Sequence, residues 1–193
     1  MSVYLDVPFV SQLTFGGNAP STSYGPQGRR DPTGCWYAGA CMVGFFFEAG
    51  PRQGVPSQYK PGLYGYGGHA ALQLATVSTL AKNEHLEPVP GAGSTQDSAG
   101  LESLLRQSGP LWFAWTKTNK TGQSYGHVAV VVGVDANTVA YHDPEDEPKA
   151  RMTIGQFNAR RLSGPLGDSS MLRRAGSRIE IRGLVLPKIV SAL

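Results

Sequence analysis

The order of the predicted elements, with helices first and strands after, indicates an α+β fold. A helix-like run that is apolar on nearly every side begins at Cys35, and residues 128–132 form a run that is apolar on both faces. Hydrophobic residues make up 40% and charged residues 16% of the 193 residues, which excludes a disordered chain. We see no internal repeat and no second set of elements, and therefore expect a single domain over residues 1–193.

The N-terminal half is predicted to hold helices between long loops. Residues 3–10 have an extended pattern, and residues 13–34 are rich in Gly, Pro, Ser and Thr, which predicts a long loop. Residues 35–49 form the apolar helix, which must be buried, and Gly50-Pro51 ends it. The other predictions for this half are a loop over 51–68, a helix over 70–82, a linker over 91–100 and a short helix over 101–107.

The C-terminal half is predicted to hold the sheet. Strands are expected over residues 110–115, 127–134 and 138–142, and the second of these is apolar enough to be a central strand. Asp135-Ala136-Asn137 forms the turn between the second and the third strand. Beyond them we expect a short helix over residues 153–161 and one or two strands over residues 177–186.

Charge and hydropathy exclude several function classes. A net charge of +3 is too small an excess to indicate a nucleic-acid partner. No apolar run approaches the roughly 18 residues that a membrane span needs. The N-terminus has neither a basic region nor a long apolar core, so we expect synthesis in the cytoplasm without a cleavable signal.

The two cysteines are predicted to act as separate thiols. Cys35 and Cys41 are six residues apart, which on a helix is a rise of about 9 Å and beyond the reach of a disulfide. The chain has no CxxC or HxxxH spacing, so we expect neither a metal site nor a cofactor.

Cys35 is the candidate nucleophile. It stands in the run Gly34-Cys35-Trp36, at the predicted start of the apolar helix. A thiolate attacks carbonyl carbon, and a helix N-terminus or a nearby imidazolium stabilises a thiolate. Cys41 lies in the middle of the same helix among apolar residues, and we expect it to be structural.

His127 is the candidate base. It follows Gly126 at the start of a predicted strand, so that its ring can project at the sheet edge toward the start of the helix. His142 is predicted to point to the other face of its strand. His69 and His85 lie near predicted helix ends, where we expect structural or solvated roles.

Asp143 is the candidate for orienting the imidazole. A three-residue turn from Asp135 to Asn137 would place Asp143 opposite Ala129, and therefore diagonal to His127 on the same face. A two-residue turn would reverse this parity. Asp135 and Asn137 are the rival orienters, but they lie at the far end of the hairpin and are expected to form the turn.

An oxyanion hole needs hydrogen-bond donors for the tetrahedral intermediate. The backbone N–H of Cys35 can be one donor, and a glutamine amide upstream is the expected second. Gln12 and Gln27 are the candidates.

Four short sequence motifs follow one another in an order that carries information about the family. They are Val7-Pro8-Phe9-Val10-Ser11-Gln12, Gly34-Cys35-Trp36-Tyr37-Ala38, Gly126-His127-Val128-Ala129 and Asp143-Pro144. Together they resemble compact bacterial papain-like cysteine peptidases, such as double-glycine leader peptidases and plant-pathogen effector proteases. The resemblance implies a papain-like fold, in which the nucleophile helix packs on a C-terminal antiparallel sheet. It also implies Cys35 as nucleophile, His127 as base, Asp143 as orienter and Gln12 as the oxyanion glutamine.

One departure of the sequence from this family pattern lies between Gln12 and Cys35, and another is the separation of 92 residues between Cys35 and His127, which is shorter than in lysosomal papain relatives. Between Gln12 and Cys35 lie 22 residues, which is longer than the pattern leads us to expect, so residues 13–34 look like a lid or specificity loop. A small enzyme of this kind without a signal also resembles interbacterial toxins that a contact-dependent secretion machine delivers. Such a toxin would need a cognate immunity protein in its producer.

The function predicted from these residues is hydrolysis of a peptide bond in a protein or peptide. The alternative is an NlpC-type peptidoglycan amidase or endopeptidase, which uses the same chemistry but usually begins Cys-Ser-Gly-Phe, where this chain has Cys-Trp-Tyr-Ala. A transglutaminase or acyltransferase would also use these residues. A non-enzymatic binding module is a third hypothesis, which the complete set of Cys, His, Asp and Gln disfavours.

Overall fold

The computed structural model describes residues 2–12, 34–47 and 72–177. Several predictions made from the sequence lie outside these residues: the loop over 51–68, almost all of the loop over 13–34, and the strands expected beyond residue 177. Gln27 and His69 also lie outside them.

Within the described residues, seven strands form one antiparallel sheet. They are β1 (Val3–Tyr4), β2 (Leu86–Pro88), β3 (Leu111–Thr118), β4 (Ser124–Val134), β5 (Thr138–His142), β6 (Ala150–Thr153) and β7 (Met171–Arg174). Their spatial order is β2-β7-β3-β4-β5-β6, and β1 pairs with the end of β4. From His127 onward every residue of β4 is buried, as the prediction of a central strand requires.

Five α-helices lie within the described residues. They are α1 (Cys35–Phe47), α2 (Val77–Asn83), α3 (Ser98–Ser108), α4 (Ile154–Arg160) and α5 (Ser163–Leu166), with 3₁₀ turns at Leu74–Thr76 and Gly167–Ser170. Helix α1 lies directly on β3 and β4. A Cβ atom at Gly39 would be 3.0 Å from both Trp112 Cδ1 and Val128 Cγ1, and the indole N–H of Trp112 donates to the carbonyl of Trp36 at 3.0 Å.

The predicted α+β class is confirmed, with differences at individual elements. The linker predicted over residues 91–100 is wrong at its end, because α3 begins at Ser98, where the Asp97 carboxylate caps the helix by accepting the Gly100 N–H at 2.7 Å. In its described part, residues 72–82, the helix predicted over residues 70–82 is a 3₁₀ turn followed by α2. Strands β2, β6 and β7 were not expected, because runs of three or four residues carry little periodicity.

The register between β4 and β5 depends on a turn and a bulge that compensate each other. The predicted three-residue turn is wrong, because Val134 pairs with Val139 and leaves four residues in the turn. This pairing alone would reverse the parity of the strand. The register shifts by one residue between Val131 and Gly133, so that Val131 pairs with Tyr141. Continued by two residues, this register places Asp143 opposite Ala129, as the sequence predicted.

We predict that Gly133→Ala destabilises the fold by about 1–3 kcal/mol. The new Cβ atom would lie 2.7 Å from Tyr4 Cδ2 and 2.8 Å from the carbonyl oxygen of Val3, which forces β1 away from β4. Urea unfolding followed by circular dichroism measures the loss. Gly126→Ala in the same strand is the matched control, since no atom of the described residues lies within 4 Å of its new Cβ atom. Equal free energies of unfolding for the two variants would contradict this account of β1.

Candidate active site

The thiol of Cys35 lies at the first residue of α1. The helix starts where the carbonyl of Gly34 accepts the N–H groups of Tyr37 and Ala38, at 3.1 and 3.0 Å. Both cysteines are reduced thiols, but Cys35 retains 9% of its accessible surface and Cys41 only 1%. Only Cys35 therefore combines a helix start with contact to the surface.

His127 joins the thiol to a carboxylate. Its Nε2 atom lies 2.7 Å from Asp143 Oδ1, and its side chain also hydrogen-bonds with that of Cys35. Since Nε2 serves the carboxylate, Nδ1 is the ring nitrogen left for the sulfur. The rings of Trp115 and Tyr125 flank the imidazole, each at 5.9 Å between centroids. The structure thus brings together three residues that are 92 and 16 positions apart in sequence.

The electrostatics of the site favour a protonated imidazole. Burial by itself lowers the pKa of His127, but the hydrogen bonds and the electrostatic interaction with Asp143 and Cys35 outweigh it and raise the pKa from 6.5 to about 9. Burial likewise raises the pKa of Asp143, whereas His127 and Lys117 lower it more strongly, from 3.8 to about 2. Asp143 is therefore a carboxylate, and His127 an imidazolium, at neutral pH.

Lys117 and Glu145 belong to this cluster although the sequence did not single them out. The Nζ atom of Lys117 lies 2.9 Å from Asp143 Oδ2, 2.9 Å from Glu145 Oε2 and 2.8 Å from Asp146 Oδ2. The hydroxyl of Tyr125 donates to Glu145 Oε2 at 2.6 Å. One signal was present in the sequence: Lys117 interrupts the otherwise apolar and hydroxyl-bearing run of β3.

The papain-like cysteine protease family described by AvrRpt2 matches residues 20–161, which is more than half of the chain and includes Cys35, His127 and Asp143. The chain belongs to this family.

A solved structure agrees with this family at the level of the fold. The structure of a C39-like peptidase from Bacillus anthracis is similar to this peptidase with a TM-score of 0.54 and 14% sequence identity. The match covers 92% of this chain and all of that one. The resemblance to bacterial papain-like cysteine peptidases stated from the sequence is therefore confirmed, and the chain is a cysteine protease of the hydrolase class.

Gln12 lies beside Pro144, the residue that follows Asp143. Its backbone N–H donates to the carbonyl of Pro144 at 2.8 Å, and its side chain is buried. It stands before the residues that the family matches, and it is not among the described residues that line the cleft. These contacts place Gln12 next to Pro144 but do not by themselves assign it the oxyanion role.

His142 and the rival orienter Asp135 have structural surroundings in the peptidase, and His85 is exposed. His142 Nε2 lies 2.9 Å from the carbonyl of Val7, and its Nδ1 accepts the N–H of Lys149 at 3.0 Å, so this ring is neutral. Burial lowers the pKa of His142, in keeping with that state. Asp135 accepts the N–H groups of Asn137 and Thr138 within the turn, at 3.2 and 2.8 Å.

Three possible metal ligands converge in the described part of the peptidase. The side chains of His127, Asp143 and Glu145 offer ligand atoms within 4.8 Å of one another. The ammonium group of Lys117 already donates to both carboxylates, and Asp143 also holds the imidazole. These donors are therefore occupied by internal partners, and they do not fit a resident cation.

A cleft of about 640 Å³ adjoins Cys35 and His127. Among the described residues, its lining is mainly apolar and comes from α1, the 3₁₀ turn before α2 and the start of α2, the strands β3 and β4, and α5 with the residue before it. The apolar members are Trp36, Leu72, Leu74, Val77, Trp112, Ala114, Val128, Leu162 and Leu166. A peptide seated there would meet the sulfur and the imidazole along one wall. No helix within the described residues is long and apolar enough to cross a bilayer.

We predict that the ring protons of His127 titrate near pH 9 in an NMR experiment, and that Asp143→Asn moves this midpoint down toward 6.5. The carboxylate raises the folded-state pKa. The stability that it contributes is therefore complete below about pH 6.5 and is lost as the pH rises through about 9. His142 serves as an internal reference, because its pKa is lowered chiefly by burial. A native midpoint near 6.5 would contradict the assigned charge state.

Proposed function

We propose that Cys35, His127 and Asp143 form a catalytic triad with which this cysteine protease hydrolyses peptide bonds in proteins or peptides. The observation that carries the proposal is the continuous path from the thiol through the imidazole to the carboxylate, beside an apolar cleft. Each member is buried by its neighbours, and such packing holds the reacting groups in one geometry.

In the first half of the reaction, the sulfur of Cys35 attacks the scissile carbonyl carbon and a C–S bond forms. The carbonyl oxygen becomes an oxyanion. The imidazolium of His127 then gives its proton to the amide nitrogen as the C–N bond breaks, so that the amine product leaves neutral. Asp143 keeps the ring oriented and balances its positive charge while the proton is held.

In the second half, water releases the acyl group. The neutral imidazole takes a proton from water as the oxygen attacks the thioester carbonyl. The C–S bond breaks, the carboxylic acid product leaves, and the thiolate and imidazolium are restored. One water molecule is consumed for each peptide bond that is cleaved.

We propose that the backbone N–H of Cys35 and the side-chain amide of Gln12 stabilise the oxyanion. The N–H of Cys35 belongs to the first turn of α1, where backbone N–H groups point out of the helix. The support for Gln12 is its order in the sequence and its anchorage beside Pro144, close to the carboxylate of the triad.

We predict that Cys35→Ala lowers hydrolysis of an unfolded protein substrate by at least ~10³-fold while the protein stays folded. The change removes one sulfur atom from a side chain that reaches the surface. Peptide release from labelled casein, followed beside a thermal melt, measures both effects. Cys41→Ala is the matched control: it keeps the activity but loses about 1 kcal/mol of stability, because Cys41 is fully packed.

Two results, one from this experiment and one from a parallel assay on peptidoglycan sacculi, would contradict the proposal. Turnover of Cys35→Ala at the native rate would exclude Cys35 as the nucleophile. Release of fragments from purified peptidoglycan sacculi, with no cleavage of any protein or peptide, would instead favour the NlpC-type amidase.

We further propose that the peptidase is a toxin effector that a bacterial secretion system delivers into a target cell. The support is the resemblance to effector proteases, and this role would require an immunity protein in the producer. Expression of the native chain in bacterial cells is expected to arrest growth, whereas Cys35→Ala is not. Mapping new protein N-termini in the two cultures would identify the substrates. Equal growth of both cultures would contradict the toxin role and leave the peptidase activity untouched.

A further inference from the structure

We propose that Lys117 is a positioning residue of the hydrolytic reaction, which holds the Asp143 carboxylate in the orientation that His127 needs. This inference rests on the proposed function, since it assigns a role within the same triad. It adds a fourth side chain that neither the sequence motifs nor the family match singles out.

The carboxylate of Asp143 is held from two sides. Its Oδ1 atom faces His127 Nε2 at 2.7 Å and accepts the N–H of Glu145 at 3.0 Å. Its Oδ2 atom accepts from Lys117 Nζ at 2.9 Å. With the second oxygen bound, the carboxylate cannot rotate about its terminal bond without losing a charged partner. Lys117 therefore keeps Oδ1 directed at the imidazole.

The register of the sheet explains why this lysine can reach the triad. Lys117 pairs with Tyr125, and Trp115 pairs with His127. Side chains alternate between the faces of a strand, so Lys117 and His127 lie on the same face of neighbouring strands. Asp143 continues the β5 register opposite Ala129, two residues from His127, and lies on that same face. The ammonium group and the imidazole thus meet one carboxylate.

The burial of Lys117 requires a compensating interaction. Its side chain is only 10% exposed, on a strand whose other residues are largely apolar. A buried ammonium group loses its hydration, and this cost is offset only if acceptors replace the water. Its partners Glu145 and Asp146 are more exposed than Asp143. A lysine that paired only with the more exposed Glu145 and Asp146 could lie at the surface, whereas a lysine that binds the buried Asp143 must itself be buried.

The surrounding charges show what Lys117 prevents. Without its positive charge, three carboxylates would crowd the end of β5 and repel one another. The groups that face this cluster are Asp143, Glu145 and Asp146 after β5, Tyr141 on β5, Tyr125 and His127 on β4, and Cys35 on α1. Burial raises the pKa of the Asp143 carboxyl, and His127 and Lys117 lower it. Lys117 thus also keeps the carboxylate ionised on acidification.

The test compares Lys117→Met with Lys117→Arg in the full-length chain. Methionine keeps an unbranched, flexible side chain but lacks the charge, whereas arginine keeps a cation that binds carboxylates. Arg151→Met is the matched control, because it removes an ion pair to Asp135, 3.0 Å long, at the far end of the same hairpin. Steady-state kinetics on a peptide substrate, thermal melting and the low-field NMR signal of the proton between His127 and Asp143 are measured for each variant.

For Lys117→Met we expect kcat to fall about ten-fold with KM changed less than about two-fold, because the base is displaced and the cleft is not. On acidification, we also expect the low-field signal to disappear at a pH roughly one to three units higher than in the native protein, because without Lys117 the Asp143 carboxylate takes up a proton at a higher pH. Lys117→Arg should restore most of both properties, and Arg151→Met should change neither.

A purely structural role predicts a different result. In that case Lys117→Met would lower the melting temperature but leave kcat and the pH range of the signal as in the native enzyme, and this result would overturn the proposal. If Lys117→Met does not fold, Lys117→Gln takes its place with the same expected changes, since an amide keeps N–H donors without the charge. The proposal would also be overturned if Lys117→Arg folds but shows the same lowered kcat and the same shifted signal as Lys117→Met.

The NMR arm separates this inference from the proposed function, because the low-field signal requires no substrate. If the native chain cleaves no peptide but its signal depends on Lys117, peptide hydrolysis is wrong, whereas the orienting of the Asp143 carboxylate by Lys117 stands. If the native chain cleaves peptides and its signal does not depend on Lys117, the reverse holds.

Discussion

The hydrogen bond between His127 Nε2 and Asp143 Oδ1 is the contact on which the rest of the site depends. It joins a residue at the middle of β4 to one just beyond β5, and both are buried. By occupying Nε2, Asp143 leaves Nδ1 for the thiol, and together with Cys35 it outweighs the burial that disfavours an imidazolium. The same carboxylate thus holds the ring in its orientation and contributes to its positive charge.

This contact exists only because the backbone of the hairpin returns to the correct parity. A four-residue turn would by itself place Asp143 on the wrong face, and the one-residue bulge in β4 corrects it before the site is reached. The same part of β4 contains Gly133, whose missing side chain admits β1. The chain that continues from β1 then reaches Gln12, which bonds to Pro144. The bulge in β4 thus sets the register that the site needs. Gly133, in the same stretch, lies beside β1, the strand that leads to Gln12.

Much of the fold was predictable because its signals are local. The apolar run after Cys35 and the valines of β4 indicate a buried helix and a central strand without any tertiary information. The approach of Asp143 to His127 was predicted from parity, but through a three-residue turn that is wrong, since a bulge leaves no mark in the sequence. Lys117 was missed because its significance depends on partners 26 to 29 residues away, and only the sheet brings them together. The short strands β2, β6 and β7 were missed because pairing, not pattern, defines them.

The most direct test of the coupling between thiol and imidazole is the rate at which iodoacetamide alkylates Cys35 at pH 7, resolved from Cys41 by mass spectrometry. Alkylation needs the thiolate but no proton for a leaving amine, so it isolates activation of the sulfur from the rest of the reaction. The structure predicts that Cys35 reacts much faster than the buried Cys41, and that His127→Ala slows Cys35 at least about ten-fold. Equal, slow labelling of the two cysteines in the native protein, or an unchanged rate in His127→Ala, would contradict the account.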